Sequence, residues 1–306
     1  MKISRLLFLL PVLLMACTSR PSLDQLREDI LAVYDTVDGD FAVGFKDLFT
    51  GDTLFIQGDS SYHAASTMKT PVMVEVYRQA AARKFNLTDS VVLRNEFRSI
   101  VDSSLYSLNP ADDSDTVTYD HLGEKRTIYQ LMYDMIIVSS NFATNLVIDI
   151  VGAKQVEAML RNIGTTNIHV LRGVEDTKAF RAGLNNTTTA RDQVILYEQI
   201  ANNSIADSAA CAEMMKVLLD QRFTDILPAR LPADVRVAHK SGSISGVQHD
   251  GGIIILPDGR RYILILLSDH LTDAGKGIEA MARVSELVYN FIIGQPSPKL
   301  RRSGTQ

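Results

Sequence analysis

Two hydrophobic hairpin patterns stand at opposite ends of this 306-residue chain, with helical periodicity between them. Towards the C-terminus, Ile253-Ile254-Ile255-Leu256 and Tyr262-Ile263-Leu264-Ile265-Leu266-Leu267 flank the turn sequence Pro257-Asp258-Gly259-Arg260. Apolar runs this dense call for a sheet covered on both faces. Towards the N-terminus, Phe41-Ala42-Val43-Gly44-Phe45 and Thr53-Leu54-Phe55-Ile56 flank Thr50-Gly51-Asp52 and read as a second hairpin. Residues 23–37 place Leu23, Leu26, Ile30, Leu31 and Tyr34 at a helical period. Ser66 to about Ala82 is helical again, and long helical segments fill most of 126–220. Val235 to Lys240 alternates like a strand, and a last helix covers about Asp273 to Ile293, before Gly294 and Pro296. Strands at both ends with helices between them do not make βαβ units. They predict an α+β fold with one antiparallel sheet built from both chain ends, flanked by helices, plus a mostly helical insertion. The sheet part is expected over about 23–65 and 228–296 and the helical part over about 66–227. A ligand cleft is expected between the two.

The first sixteen residues read as a leader. Lys2 and Arg5 precede an apolar run, Leu6 to Leu14, that is too short to span a bilayer. Leu14-Met15-Ala16-Cys17 has the apolar, variable, small, Cys pattern of a bacterial lipobox. Cleavage before Cys17 would leave it lipidated, a stable membrane anchor because several acyl chains sit on one residue. Residues 17–22 then form a tether, and 297–306 a flexible tail. Position 18 is Thr rather than Asp, so the periplasmic face of an outer membrane is the expected location. With Cys17 carrying lipid, Cys211 is the one cysteine left, so no intramolecular disulfide is expected. Its helical, apolar surroundings suit a buried small hydrophobe.

Loss of residues 1–16 removes Lys2 and Arg5 and takes the formal charge from −5 to −7. That balance, with no basic stripe, argues against a nucleic-acid partner. The six histidines are scattered without metal-ligand spacing, so neither a metal nor a cofactor is expected. No exposed heptad or broad apolar stripe points to an oligomer, and a monomer is expected.

Three short motifs carry chemistry. Ser66-Thr67-Met68-Lys69 puts a hydroxyl and an amine one helical turn apart, facing the same way. Serine becomes a nucleophile when a base takes its proton, and a lysine held neutral by burial near other cations is such a base. Ser139-Ser140-Asn141 falls between two helical runs, where Ser139 can relay protons and Asn141 can bind a substrate amide. Lys240-Ser241-Gly242 closes a short strand. There Lys240 and Ser241 can meet a carboxylate and Gly242 permits close backbone approach. The N–H groups of Ser243 and Ser66 would then form an oxyanion hole. Each element alone is common, and the ordered triplet is not.

On these motifs the chain resembles the serine β-lactamase and penicillin-binding protein superfamily, and is most similar to class A β-lactamases, over about residues 22–295. The resemblance adds a segment from Arg172-Gly173-Val174-Glu175-Asp176 to Leu184-Asn185-Asn186-Thr187-Thr188-Thr189, similar to the Ω-loop of class A enzymes. It implies Glu175 as the base that activates a deacylating water. Ser66 would be activated by Lys69 directly or by Glu175 through water. Four features depart from the pattern. Glu175 follows Arg172 by three residues rather than two, and its usual Leu-Asn partner is missing unless Leu184-Asn185 substitutes. Ser140 stands where many members have Asp. No Arg follows Lys240-Ser241-Gly242, where Ser245 to Gly252 offers only Gln248, His249 and Asp250. An insertion around Tyr106–Lys125, acidic at Asp112, Asp113 and Asp115, lengthens the gap between the first two motifs.

Three functions remain open on this reading. The first is hydrolysis of a small-molecule β-lactam through an acyl-Ser66 intermediate. The second is a D-Ala-D-Ala carboxypeptidase or related esterase acting on peptidoglycan-like substrates. The third is a β-lactam-binding module that acylates without turnover. Glu175 separates them, because the acyl-enzyme persists unless that carboxylate reaches the ester.

Overall fold

The computed structural model describes residues 22–295. The expected leader, the lipidation site Cys17 and the 297–306 tail lie outside the described residues. Helix α1 (Leu23–Tyr34) leads to strands β1 (Asp40–Asp47), β2 (Thr53–Ile56) and β3 (Tyr62–His63). A 3₁₀ turn (Ala65–Met68) and α2 (Lys69–Ala81) follow, then the short strands β4 (Ser90–Val92), β5 (Phe97–Arg98), β6 (Leu105–Tyr106) and β7 (Lys125–Thr127). Helices α3 (Ile128–Ile137), α4 (Asn141–Val151) and α5 (Ala153–Asn162) precede a loop carrying α6 (Thr177–Arg181) and β8 (Thr187–Thr188). The chain continues through α7 (Ala190–Ala201) and α8 (Ser208–Leu219). It then runs through β9 (Arg236–Ile244), β10 (Val247–Ile255), β11 (Arg261–Asp269) and α9 (Ala274–Ile293).

The five long strands form one antiparallel sheet in the order β2-β1-β11-β10-β9, so the two ends of the chain meet where Gly44 pairs with Ile265. Both faces are covered, as the apolar runs require. Along β11, Ile263, Ile265 and Leu267 point into a core shared with α2, α3, α4, α7 and α8. Alternate residues Tyr262, Leu264 and Leu266 point into a second core against α1 and α9. Each such side chain contributes about 1.5–3 kcal/mol on burial, so a one-residue slip of β11 would exchange both cores at once. The Pro257–Arg260 turn closes with Gly259 at φ +87°.

The structure refines the sequence reading in three places. Ser66 lies in the 3₁₀ turn that precedes α2 rather than in the α-helix. Lys240-Ser241-Gly242 does not close its strand. It lies within β9, paired to Gly251, Asp250 and His249, and β9 runs on to Ile244. The central part also contains three two-stranded ladders, β3–β8, β4–β7 and β5–β6.

Gly44 sets how closely α7 lies on the sheet, because an added Cβ would fall 2.8 Å from both the Ala190 carbonyl oxygen and Val194 Cγ2. Gly44→Ala should therefore lower the unfolding midpoint, by about 1–3 kcal/mol of overpacking. Gly275→Ala, with only Asp273 Oδ1 at 3.4 Å, should be neutral or stabilising. Urea melts of the two variants check both.

Candidate active site

Ser66 is half-buried on its 3₁₀ turn, with β9 running alongside. The turn is held by three hydrogen bonds. Thr67 N–H and its hydroxyl both donate to the Ala64 carbonyl, at 3.0 and 2.6 Å, and Ala65 N–H donates to His63 Nδ1 at 3.0 Å. Ala65 takes φ +44° to make the bend. A Cβ on Gly242 would sit 3.1 Å from Ser66 N and 3.2 Å from Thr67 N. The close approach Gly242 permits is thus between β9 and the Ser66 turn, which brings Ser243 beside Ser66. Ser66 lines two lobes of one cleft. One lobe, about 380 Å³, also takes in Ser139, Asn141, Ser241, Gly242 and Ser243. The other, about 320 Å³, takes in Glu175, Val174, Phe180 and Ile244.

Behind the serine two lysines are fully buried. Lys69 Nζ donates to the Ser139 carbonyl at 2.6 Å and to Asn141 Oδ1 at 2.9 Å, and lies 3.1 Å from Ser139 Oγ. Burial pushes its pKa down to about 7 against the raising effect of Asp113 and Glu175. Lys240 Nζ donates to Ser139 Oγ at 3.0 Å and to the Ser241 carbonyl at 2.8 Å. Burial, and then the like charge of Lys69, hold Lys240 well below the usual lysine range, opposed by Asp250. Ser139 Oγ therefore bridges the two amines. Accepting from Lys240, it can give its own proton to a neutral Lys69, which is the geometry of a proton relay. Ser139 takes φ +58°, which turns its carbonyl onto Lys69. Lys240 is fully buried and does not open into the cleft.

Asn141 joins this group to the loop opposite. Its Oδ1 faces Lys69 and its Nδ2 donates to Glu175 Oε1 at 3.0 Å. Burial raises the Glu175 pKa, with the Asn141 bond opposing and Asp113 and Asp112 adding. Asn145 anchors the loop, accepting from Val174 N–H at 2.7 Å and donating to its carbonyl at 3.0 Å. Arg172 clasps the loop exit through the Leu184 carbonyl, the Gly173 carbonyl and Asn185 Oδ1. Leu184-Asn185 thus serves Arg172 and is not brought beside the Glu175 carboxylate by these bonds.

Of the residues offered after the third motif, Gln248 makes a side-chain hydrogen bond to a candidate residue, donating to Ser243 Oγ at 2.9 Å, while His249 and Asp250 pair through the backbone with Gly242 and Ser241. His249 is buried, with Nε2 2.8 Å from the His63 carbonyl, and Asp250 is paired with buried His239 at 2.8 Å. Sequence reasoning missed Asn145, His63 and above all Asp113, whose carboxylate meets the first turn of α4. Only the acidity of its segment was visible. Cys211 is buried and its thiol pKa is raised by burial. Among the described residues no cluster of three His, Cys, Asp or Glu is arranged to hold a metal ion.

Residues 25–292 match the sequence profile of the β-lactamase enzyme family. β-Lactamase ROB-1 of Haemophilus influenzae is 24% identical over 236 residues, which cover 75% of this chain and 72% of that protein. A β-lactamase structure from Sphaerobacter thermophilus superposes with a TM-score of 0.76 at 24% identity, covering 90% of this chain and 100% of the other. The structure of PBP-A gives 0.77 at 24% identity, covering 90% and 98%. At such identities the structural likeness is one of fold.

Asn145→Ala should leave the Val174 N–H without its partner, at about 1–3 kcal/mol for a group left unsatisfied, and the Val174 carbonyl with the Tyr106 hydroxyl at 3.3 Å in place of two donors. Faster amide exchange confined to residues 172–186, with α2 and the sheet unchanged, is the expected result in hydrogen-exchange mass spectrometry.

Proposed function

The chain belongs to the β-lactamase enzyme family, and we propose that it hydrolyses β-lactams through an acyl-Ser66 ester. Ser66 Oγ attacks the lactam carbonyl carbon while the Ser66 and Ser243 N–H groups take up the developing oxyanion. The Ser66 proton passes to neutral Lys69 and on through Ser139 Oγ to the ring nitrogen as the C–N bond breaks. Glu175 then takes a proton from water, whose oxygen attacks the ester. The proton returns to Ser66 and the ring-opened acid leaves, so the net change is addition of one water. The substrate carboxylate rests on Ser241, with Lys240 supplying charge behind it. Asn141 takes the substrate amide.

The observation that carries this reading is Asn141, whose amide ties Lys69 to Glu175 across the lobe that Ser66 lines. Asn141 thereby links the residue read here as the base for acylation to the one read as the base for deacylation. One observation favours a second reading, a module that acylates and stalls. Leu184-Asn185 sits on the Arg172 clasp, so no second amide from that pair steadies a water at Glu175.

Intact-protein mass spectrometry beside substrate absorbance separates the two. A transient penicillin adduct with steady substrate loss supports the hydrolase, and a permanent adduct without turnover supports the stalled module. Ser66→Ala should take no adduct, and an adduct that survives refutes the assignment. Glu175→Gln should still acylate and then accumulate the ester.

The rate of acylation should fall as pH drops through about 7. Protonated Lys69 cannot accept the serine proton, so the active form is the one populated above that value. Lys69→Met should slow acylation by about 10²–10⁴-fold and lose this limb. A limb that persists in the variant transfers the role to Glu175.

We also infer from Leu14-Met15-Ala16-Cys17 that the mature chain is exported and anchored by lipid to the periplasmic face of the outer membrane. Cys17→Ala should shift it from the membrane to the soluble fraction, and a variant still in the membrane refutes the anchor.

A further inference from the structure

We propose that Asp113 is a positioning residue for the reaction. Its carboxylate, delivered by the 106–125 segment, fixes the Ser139–Asn141 turn and opposes Lys69 from outside the proton-transfer path. The inference rests on the role given to Lys69 above.

Asp113 lies 28 residues before Asn141 and is buried. Its Oδ1 accepts from Asn141 N–H at 2.9 Å and from Asp115 N–H at 3.1 Å. Its Oδ2 accepts from Phe142 N–H at 2.8 Å and from the Tyr119 hydroxyl at 2.9 Å. The first two amides of α4 have no partner within the helix, and a carboxylate at that end also meets the favourable end of the helix dipole. Ser140 Oγ takes the third amide, that of Ala143, at 3.1 Å. Between them Asp113 and Ser140 satisfy the start of α4 and so fix where Asn141 points. Tyr119, from the same segment, stacks on Phe142 with centroids 4.7 Å apart and holds the carboxylate in place.

The four donors to Asp113 are neutral, and among the described residues no cation lies within ion-pair distance of it. Its charge is therefore not cancelled locally. The charged groups facing Lys69 are Asp113 from this segment, Glu175 from the 172–186 loop and Lys240 from β9. Glu175 must exchange protons in the proposed reaction, whereas Asp113 has its oxygens filled and takes no part in it. Asp113 is thus the carboxylate facing Lys69 that has no step of its own in the cycle. It sets how readily Lys69 keeps its proton and holds the turn that carries Lys69's acceptors.

Asp113→Asn keeps size and removes the charge. With an opposing charge gone, the Lys69 ammonium loses stabilisation, so its titration moves to lower pH. The test titrates ε-¹³C-lysine resonances by NMR, with Lys69 assigned by its loss in Lys69→Arg, and follows penicillin acylation against pH. The expected result for Asp113→Asn is a Lys69 midpoint and an acid limb both displaced to lower pH, with the plateau rate reduced about 10- to 100-fold by the loosened turn. Asp120→Asn, an exposed acid of the same segment, should leave both where they are. An unchanged Lys69 midpoint in Asp113→Asn overturns the proposal and reduces Asp113 to a helix cap. If that variant does not fold, Asp113→Glu is measured instead. Retained charge then predicts an unmoved midpoint with a reduced plateau, and a moved midpoint overturns the proposal. A wild-type protein that takes no adduct refutes the function, while the NMR titration still decides the role of Asp113.

Discussion

Two lysine amines share one serine hydroxyl inside this protein, and much of the architecture answers the cost of putting them there. A buried ammonium is expensive unless hydrogen-bonded and balanced by opposite charge. Lys69 finds a carbonyl, a carboxamide and a hydroxyl within 3.1 Å. Lys240 finds the same hydroxyl and its neighbour's carbonyl. Asp113 and Glu175 supply the negative charge from two different segments. What cannot be balanced appears as a lowered proton affinity, and that turns a cation into a base at neutral pH. The unfavourable burial and the chemistry are one arrangement.

The sheet makes that burial possible. Because β1 and β11 pair the ends of the chain, the long middle segment folds back over one face and delivers the Ser66 turn, from which α2 starts, beside β9. Lys240 arrives on a strand, Lys69 on a helix and Ser139 on the turn between two helices. These supports are rigid and come from distant parts of the sequence. The narrow tolerance shows at Gly242, where one added carbon would press on the amide of Ser66.

Much of this was legible in the sequence, for physical reasons. Alternation and turn residues mark β10, β11 and the α9 boundary, since local chemistry dictates them. The spacing of Ser66 and Lys69 marks their shared face whether the turn is 3₁₀ or α. Asp113 was not legible as part of the site. A carboxylate that caps a helix 28 residues later leaves no local signature, and its segment registered only as an acidic insertion. The burial of Lys240 was equally hidden, because it depends on β9 continuing past Gly242, and nothing in Ser243-Ile244 marks an ending or a continuation.

The Arg172–Glu175 interval shows why spacing is a weaker guide than backbone handedness. One extra residue relative to the expected interval would, in an extended loop, carry the carboxylate away from Ser66. Instead Glu175 adopts φ +61°, a conformation that costs a non-glycine residue about 1–3 kcal/mol. The turn is held from both sides. Asn145 grips Val174 before it. After it, the Asp176 carboxylate accepts from Ser99 Oγ, Ile100 N–H and Ala179 N–H. Gly173 is required in the same bend, since an added Cβ would fall 2.4 Å from Asn145 Oδ1. The extra residue is thus absorbed as a left-handed step between two anchors, and the Glu175 side chain turns back to Asn141. Strain held by such anchors keeps the Glu175 carboxylate hydrogen-bonded to Asn141, in the lobe that Ser66 also lines.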